Sequence, residues 1–159
     1  MMQTWITQLG DADLWQRLTA ESALRAANDD AHAALCTLVS DAGSAFEARW
    51  RAALLLGERG DVRAVPTLMA TRRDPSIEIR QGAIWAMGLI RDAGVFEALQ
   101  AIFTDPQEEE QLRFVTASAM TQIDAARALP YLHAALDGQD AQRRAARAVL
   151  ANLAERGAL

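Results

Sequence analysis

Few side chains in this sequence are suited to catalysis or to metal binding. The only histidines are His32 and His133, the single cysteine is Cys36, and Glu108–Glu110 forms an acidic run. Nucleophilic catalysis needs a serine or cysteine with a positioned histidine, and the sequence has neither a nucleophile elbow nor a Cys/His signature. The two histidines fall in distant repeats of the chain, which argues against joint metal ligation. We therefore predict no catalytic residue, no metal site and no cofactor.

The composition excludes further kinds of reaction and partner. All sixteen cationic residues are arginine, so a lysine nucleophile, a Schiff base and a phosphate-loop lysine are excluded. A formal charge of −5 and a pI near 5.0 disfavour nucleic acid and a membrane surface as partners. Cys36 is predicted to be a small buried hydrophobe, and Glu108–Glu110 to favour the positive end of a helix dipole. The sequence shows neither a signal-peptide pattern nor a transmembrane stretch, which predicts a cytoplasmic protein.

One arginine recurs along the chain at nearly constant spacing. Successive separations are 32, 31, 33 and 30 residues for Arg17, Arg49, Arg80, Arg113 and Arg143. Two series of aspartates keep the same spacing: Asp41, Asp74, Asp105 and Asp137, and the turn acids Asp29, Asp61, Asp92 and Asp124. A residue needed in every repeat follows the repeat interface rather than a single ligand. We interpret the arginines as a structural ladder that binds turn carboxylates, not as a row of ligand-binding residues.

Each repeat is predicted to contain two helices, A and B. Apolar residues recur three and four positions apart in both, which gives each helix one buried face. The helical run stops at Gly57 and restarts after Asp61, where the chain turns from helix A to helix B. The predicted elements of a single domain, 1–159, are an N-terminal helix at 2–9, repeats at 14–41, 45–74, 76–105 and 108–137, and a final helix at 140–156. The terminal Ala158 and Leu159 are expected to fray.

The segment RWRAALLLGERGDVRAVPTL, from Arg49 to Leu68, resembles the HEAT-like repeat of the phycobilisome-lyase type. The resemblance covers roughly residues 14 to 156. It implies an all-α fold, a right-handed α-solenoid of about four and a half helix pairs, with B helices on the concave side and A helices on the convex side. The family includes enzymes, enzyme chaperones, lyases and adaptors, so the resemblance specifies architecture more than function. The His-Glu pairs of the iron hydroxylases with this repeat are missing here.

Large apolar residues occupy positions of the A helices that the repeat alignment places outward. They are Trp50, Leu54, Trp85 and Phe114. Solvent-facing positions should carry charge, so an apolar strip on neighbouring helices predicts a surface that binds a protein partner or a second copy of the chain. Two alternatives stay open: the helical phase is shifted so that the rings belong to the core, or the segment around Trp5 covers them.

These observations favour a noncatalytic scaffold or adaptor that binds another protein. The alternative is a lyase-type or DNA-repair-type enzyme, or an enzyme-assisting factor, acting in the concave groove. The HEAT-like DNA glycosylases use a basic cleft. Here the B-helix arginines Arg63, Arg72, Arg73 and Arg127 are offset by Glu97 and Asp137 in an acidic chain. Nucleic acid and membranes are therefore not expected as partners.

Overall fold

The computed structural model describes residues 1–27 and 29–157, so the fraying predicted for Ala158 and Leu159 lies outside the described residues. Its α-helices are α1 Met2–Gln8, α2 Leu14–Ala26, α3 Asp29–Ser40, α4 Phe46–Glu58, α5 Val65–Thr71, α6 Ile77–Ile90, α7 Phe96–Thr104, α8 Glu110–Ala135 and α9 Asp140–Glu155. No strand occurs among the described residues. The all-α prediction is confirmed.

The helices form two compact units. The first, Met1–Ile90, contains α1 to α6, and the second, which begins at Arg91, contains α7 to α9. The division falls within the segment 76–105 that the sequence analysis treats as one repeat. The repeat boundaries and the single domain therefore remain predictions.

In the first unit, the A helices lie side by side. Helix α4 packs against α2 on one side and α6 on the other, while the B helices α3 and α5 pack against α4 and α6 respectively. The core between these layers is built from residues with no exposed surface: Leu24, Leu35, Leu56, Leu68 and Met87. Each belongs to the apolar stripe of its helix. The three- and four-residue spacing of the apolar residues therefore determines which face each helix buries.

The corner between α4 and α5 is made by a glycine and an aspartate. Helix α4 continues through Gly57 to Glu58, and the chain turns at Gly60, whose φ of 65° lies in the left-handed region that favours glycine. The Asp61 carboxylate then accepts a hydrogen bond of 3.0 Å from the Arg63 amide and caps a short 3₁₀ turn, Val62–Ala64, that leads into α5. Helix α4 thus extends one residue past the predicted stop at Gly57, and helical turns resume after Asp61 as predicted.

Gly57 has another role, which is close helix packing. A Cβ atom built on this residue would lie 2.7 Å from the Cα of Ala86 in α6. Only glycine therefore lets α4 and α6 approach this closely, since backbone atoms on the neighbouring helix cannot rotate away. The conspicuous glycine of the repeat pattern in this chain serves the contact between two A helices rather than the turn.

In the second unit, α8 packs between α7 and α9. The long α8 is interrupted at Asp124, whose φ of −156° and ψ of 98° are extended rather than helical. The Asp124 carboxylate accepts a hydrogen bond of 2.9 Å from the Arg127 amide and caps the second half of the helix. The A-to-B corner is thus made without a glycine. The fully or almost fully buried residues include Phe96, Phe103, Met120 and Leu132.

Candidate functional site

The five repeat arginines all donate hydrogen bonds to backbone carbonyls that precede their own helix in the chain. For Arg49, Arg113 and Arg143 these include carbonyls at or next to the end of the preceding helix, and for Arg17 and Arg80 they lie in the loop between helices. Their acceptors are Asp11 O and Ala12 O for Arg17, Val39 O for Arg49, Asp74 O and Pro75 O for Arg80, Phe103 O and Asp105 O for Arg113, and Leu136 O and Gly138 O for Arg143. The last carbonyls of a helix have no partner within it and carry partial negative charge. A guanidinium supplies both donors and positive charge at that point.

The sequence analysis expected turn carboxylates as the partners of these arginines. Arg49 has one, because its Nη2 pairs with Asp74, and Arg143 lies 3.1 Å from Oδ1 of Asp140. A backbone carbonyl acceptor, however, is present for each of the five arginines. Sequence spacing could not reveal them, because a carbonyl belongs to every residue and only the packed geometry selects which ones lie within reach. The structural role assigned to the arginines stays a prediction that mutation can test.

The Arg49–Asp74 ion pair is deeply enclosed in the first unit, with both side chains about 8% exposed. Burial raises the pKa of Asp74, but the hydrogen bonds from Arg49 and from the Ser76 amide outweigh it and hold the pKa below its usual value. The carboxylate therefore stabilises the folded state above the usual aspartate pKa of about 4, and this contribution is lost as the pH falls through the lowered value.

Asp74→Asn is expected to lower the free energy of unfolding at pH 7 by about 1 kcal/mol, because Arg49 loses a charged partner while its carbonyl bond remains. The difference from the wild type should shrink below pH 4. Urea denaturation of both proteins at pH 7 and below pH 4 measures this difference in the free energy of unfolding. Asp137→Asn is the matched control, since Asp137 has the same place in the repeat and is exposed. Equal loss in both variants would contradict the assignment.

The predicted partner-binding residues of the first unit differ in exposure. Trp85 on α6 is 39% exposed, whereas Trp50 and Leu54 on α4 are half-buried. The Trp50 indole lies against α6, because a Cβ atom built on Gly82 would be 3.0 Å from its Cδ1 atom. Trp50 thus contributes to the packing of α4 on α6 as well as to the surface. Phe114, on α8 of the second unit, is 41% exposed.

Helix α2 adds exposed apolar residues that the sequence analysis missed. Trp15 is 76% exposed, Leu14 53% and Leu18 43%. Leu18 directly follows a repeat arginine, as Trp50 and Phe114 do, so the repeat alignment contained a signal for it. Phe46, the first residue of α4, is also 47% exposed. We define the A-helix face of the first unit as six other apolar residues of α2, α4 and α6: Leu14, Trp15, Leu18, Trp50, Leu54 and Trp85.

Balanced ion pairs link α2 to α4 beside this face. Arg51 pairs with Glu21 on α2 and with Glu47, 2.6 Å away, on its own helix. Arg25 lies 2.6 Å from Glu58. The charges on both helices are therefore largely compensated within the chain. An occupant of the A-helix face would have to bind mainly by apolar contact.

The cysteine and the two histidines, which are the side chains best suited to chemistry, lie on the B helices. Cys36 on α3 is half-buried, whereas the sequence analysis predicted a buried residue. Its sulfur is 3.6 Å from Nε2 of His32, one helical turn away. The i, i+4 spacing of this pair was visible in the sequence but was not treated as a Cys/His signature. His133 is exposed on α8. In residues 1–27 and 29–157, no three histidine, cysteine or acidic side chains form a set of metal ligands.

Comparison with known proteins identifies the class to which these helix pairs belong. A family model of HEAT repeats matches residues 68–151, more than half of the chain. The chain therefore belongs to the HEAT-repeat family, and the predicted α-solenoid class and the resemblance are both confirmed. No curated protein sequence matches the chain significantly.

Two solved structures are similar in fold. One is the complex of CpcE and CpcF of phycocyanin lyase from Nostoc sp. PCC7120, with 22% identity, a TM-score of 0.65, and coverage of 98% of this chain and 65% of that one. The other is human deoxyhypusine hydroxylase in complex with glycerol, with 20% identity, a TM-score of 0.63, and coverage of 94% and 61%. This chain spans less than two thirds of either. At such identities the similarity establishes the fold alone.

Across the part of the chain that the structure describes, no helix combines the length and the apolar character needed to cross a bilayer.

Proposed function

We propose that this chain is a noncatalytic scaffold that binds another protein through the A-helix face of its first unit. The observation that carries the proposal is the exposure of two tryptophans and two leucines on helices where solvent favours charge: Leu14, Trp15, Leu18 and Trp85. Tryptophan is among the residues most enriched at the energetic centres of protein interfaces. Soluble proteins rarely expose large contiguous apolar patches without a binding role.

The packing of the first unit supports a preformed surface. Helices α2, α4 and α6 lie side by side, and their inner faces are anchored in the core by residues such as Leu24, Leu56 and Met87. A rigid helical surface loses little conformational entropy on binding, and a tryptophan has only two side-chain dihedrals to order. The A-helix face therefore needs little rearrangement to receive a partner.

One of the two similar structures is a protein–protein complex. The phycocyanin lyase structure is a complex of two named subunits, CpcE and CpcF. For this chain we infer from that structure only that a protein partner is expected, not which protein it is. A second copy of the chain is the other occupant to be tested.

Replacing Trp15 and Trp85 together by alanine is expected to weaken partner binding at least tenfold, because truncating a tryptophan anchor costs about 2 kcal/mol. The wild-type chain, the double variant and Val62→Ala serve as baits in extract from the native cells, with quantitative mass spectrometry of the bound proteins. Val62 is the matched control, since it is 57% exposed but lies in the turn before α5. Trp50 is left intact because it packs on Gly82.

The expected result is a protein enriched by the wild type and by Val62→Ala but lost from the double variant, with unchanged helicity by circular dichroism. Light scattering of the three purified chains tests the second-copy case, in which only the double variant would be monomeric. The proposal fails if the same proteins bind all three baits and none of the chains self-associates.

A lyase-type enzyme or enzyme-assisting factor remains the second candidate, and the contact between Cys36 and His32 on a B helix is the observation that favours it. A DNA-repair role has less support. Arg63 pairs with Asp29 and Asp61, and Arg127 pairs with Glu97, so these B-helix cations are already engaged by carboxylates.

A further inference from the structure

Three side chains on the B-helix side of the first unit form a continuous chain of contacts. His32 and Cys36 are one turn apart on α3, and Nε2 of His32 is 3.6 Å from the Cys36 sulfur. On the other side of the ring, Nδ1 is 3.2 Å from Oδ2 of Asp61, which precedes α5. The imidazole therefore lies between a thiol and a carboxylate. Both His32 and Asp61 have largely buried side chains, 13% and 17% exposed.

The two ring nitrogens have different neighbours, and this difference determines what the cluster can do. Cys36 and Asp61 face opposite nitrogens, so they cannot bind one metal ion together with His32. The buried Nδ1 atom has no partner with hydrogen-bond geometry, and the Asp61 oxygen at 3.2 Å is the acceptor that a small rotation of the ring would engage. A proton on Nδ1 would leave Nε2 unprotonated and directed at the thiol.

Asp61 is held as a carboxylate at all ordinary pH values. Side-chain hydrogen bonds from Arg63 lower its pKa to about 2, against an opposing effect of burial, and the Arg63 amide adds to the lowering. Arg63 itself also bonds Asp29, so its position is fixed from two sides. The Asp61 carboxylate beside Nδ1 is placed to accept the Nδ1 proton, which orients the ring with Nε2 toward the thiol.

Cys36 retains some exposed surface, and its thiol needs a base. Cys36 is half-buried, so part of its surface faces solvent. Burial raises the pKa of the thiol, and the nearby Thr67 hydroxyl only partly offsets this effect. Cys36 is therefore a protonated thiol at neutral pH, and reaction at its sulfur requires transfer of that proton to a neighbouring group. Nε2 of His32 is such a group, at hydrogen-bond distance for sulfur.

We propose that Cys36, His32 and Asp61 form a reactive-thiol site that exchanges with small disulfides. Nε2 of His32 accepts the proton of Cys36, and the sulfur attacks one sulfur of the disulfide. The new bond joins Cys36 to that sulfur, and the other sulfur leaves as a thiolate that takes the proton from the imidazolium. Cys36 is oxidised to a mixed disulfide and the small disulfide is reduced to one thiol. Asp61 acts as a positioning residue.

The test measures the rate of mixed-disulfide formation on the folded full chain with the aromatic disulfide dithiobis-nitrobenzoate, whose released thiolate is coloured. His32→Ala is expected to slow the reaction at least tenfold at neutral pH, because the general base is lost. Added imidazole should restore part of the rate in His32→Ala without accelerating the wild type to the same degree. A purely structural role of His32 would give no such rescue.

His133→Ala, at the exposed histidine of the second unit, is the matched control and should react as the wild type does. Cys36→Ser should not react. Glutathione disulfide replaces the aromatic probe in a second series, with intact mass reporting the addition of one glutathionyl group. Circular dichroism and thermal melting establish that each variant is folded.

Two results would overturn the proposal. One is an equal rate for His32→Ala and the wild type. The other is reaction of Cys36 only under conditions that unfold the chain. Because the cluster lies on α3 and the turn before α5, neither result bears on the A-helix face, and loss of partner binding would not affect the thiol rate.

Discussion

Arg113→Met is expected to lower the free energy of unfolding by about 3 kcal/mol. Arg113 is 1% exposed, and its guanidinium donates to Phe103 O at 2.8 Å and to Asp105 O. Methionine keeps the apolar stem but removes the charged donor, so Phe103 O keeps only the 3.3 Å bond from Gln142 Nε2 and Asp105 O only the 3.2 Å bond from the Glu108 amide. Each hydrogen bond to a charged donor contributes about 1.5–3 kcal/mol, and Arg113→Met loses two of them while burying no new polar group.

Urea denaturation followed by circular dichroism measures this loss. Arg147→Met is the matched control, because Arg147 is exposed on α9 of the same unit, and its replacement should change stability by less than about 0.5 kcal/mol. Arg113→Lys separates charge from geometry, since one ammonium cannot reproduce the planar fork that reaches both carbonyls. Equal stability of Arg113→Met and Arg147→Met would refute the structural role of the repeat arginines in this unit.

Gly57→Ala is expected to lower the free energy of unfolding by about 2 kcal/mol, although alanine is the better helix former. The gain in helix propensity is about 1 kcal/mol. The new methyl group would lie 2.7 Å from the Cα of Ala86 and 3.1 Å from its carbonyl oxygen, so α4 and α6 must separate. Overpacking of this kind costs about 1–3 kcal/mol, and backbone contacts place it at the upper end.

Thermal and urea denaturation of Gly57→Ala are compared with those of Gly43→Ala. Gly43 lies in the exposed turn before α4, where a Cβ atom would meet only the movable Asp41 carboxylate at 3.3 Å. That control should be nearly neutral. A Gly57→Ala variant more stable than the wild type would mean that helix propensity outweighs the close contact of the two A helices.

The order of helices could be predicted because it depends on local chemistry. Apolar residues three and four apart define a buried stripe wherever they occur, and an aspartate after a left-handed glycine caps the next helix, as Asp61 does after Gly60. The same reasoning located the corner at Asp124, which lacks the glycine. The same reasoning placed the end of the helical run at Gly57, because the sequence does not distinguish a glycine needed for helix packing from one that ends a helix.

The sequence by itself therefore determined the helix pairs, their period and the arginine that recurs in each, since these follow from spacing along one chain. Tertiary structure alone decided which atoms those arginines bind, that Trp50 rests on Gly82 while Trp15 is exposed, and that Asp61 faces the imidazole whose other side meets Cys36. Apart from the pair His32 and Cys36, which share α3, these contacts join residues of one helix to residues of another helix or of a loop. Their distances depend on how closely the helices approach, which the periodicity of either helix does not specify.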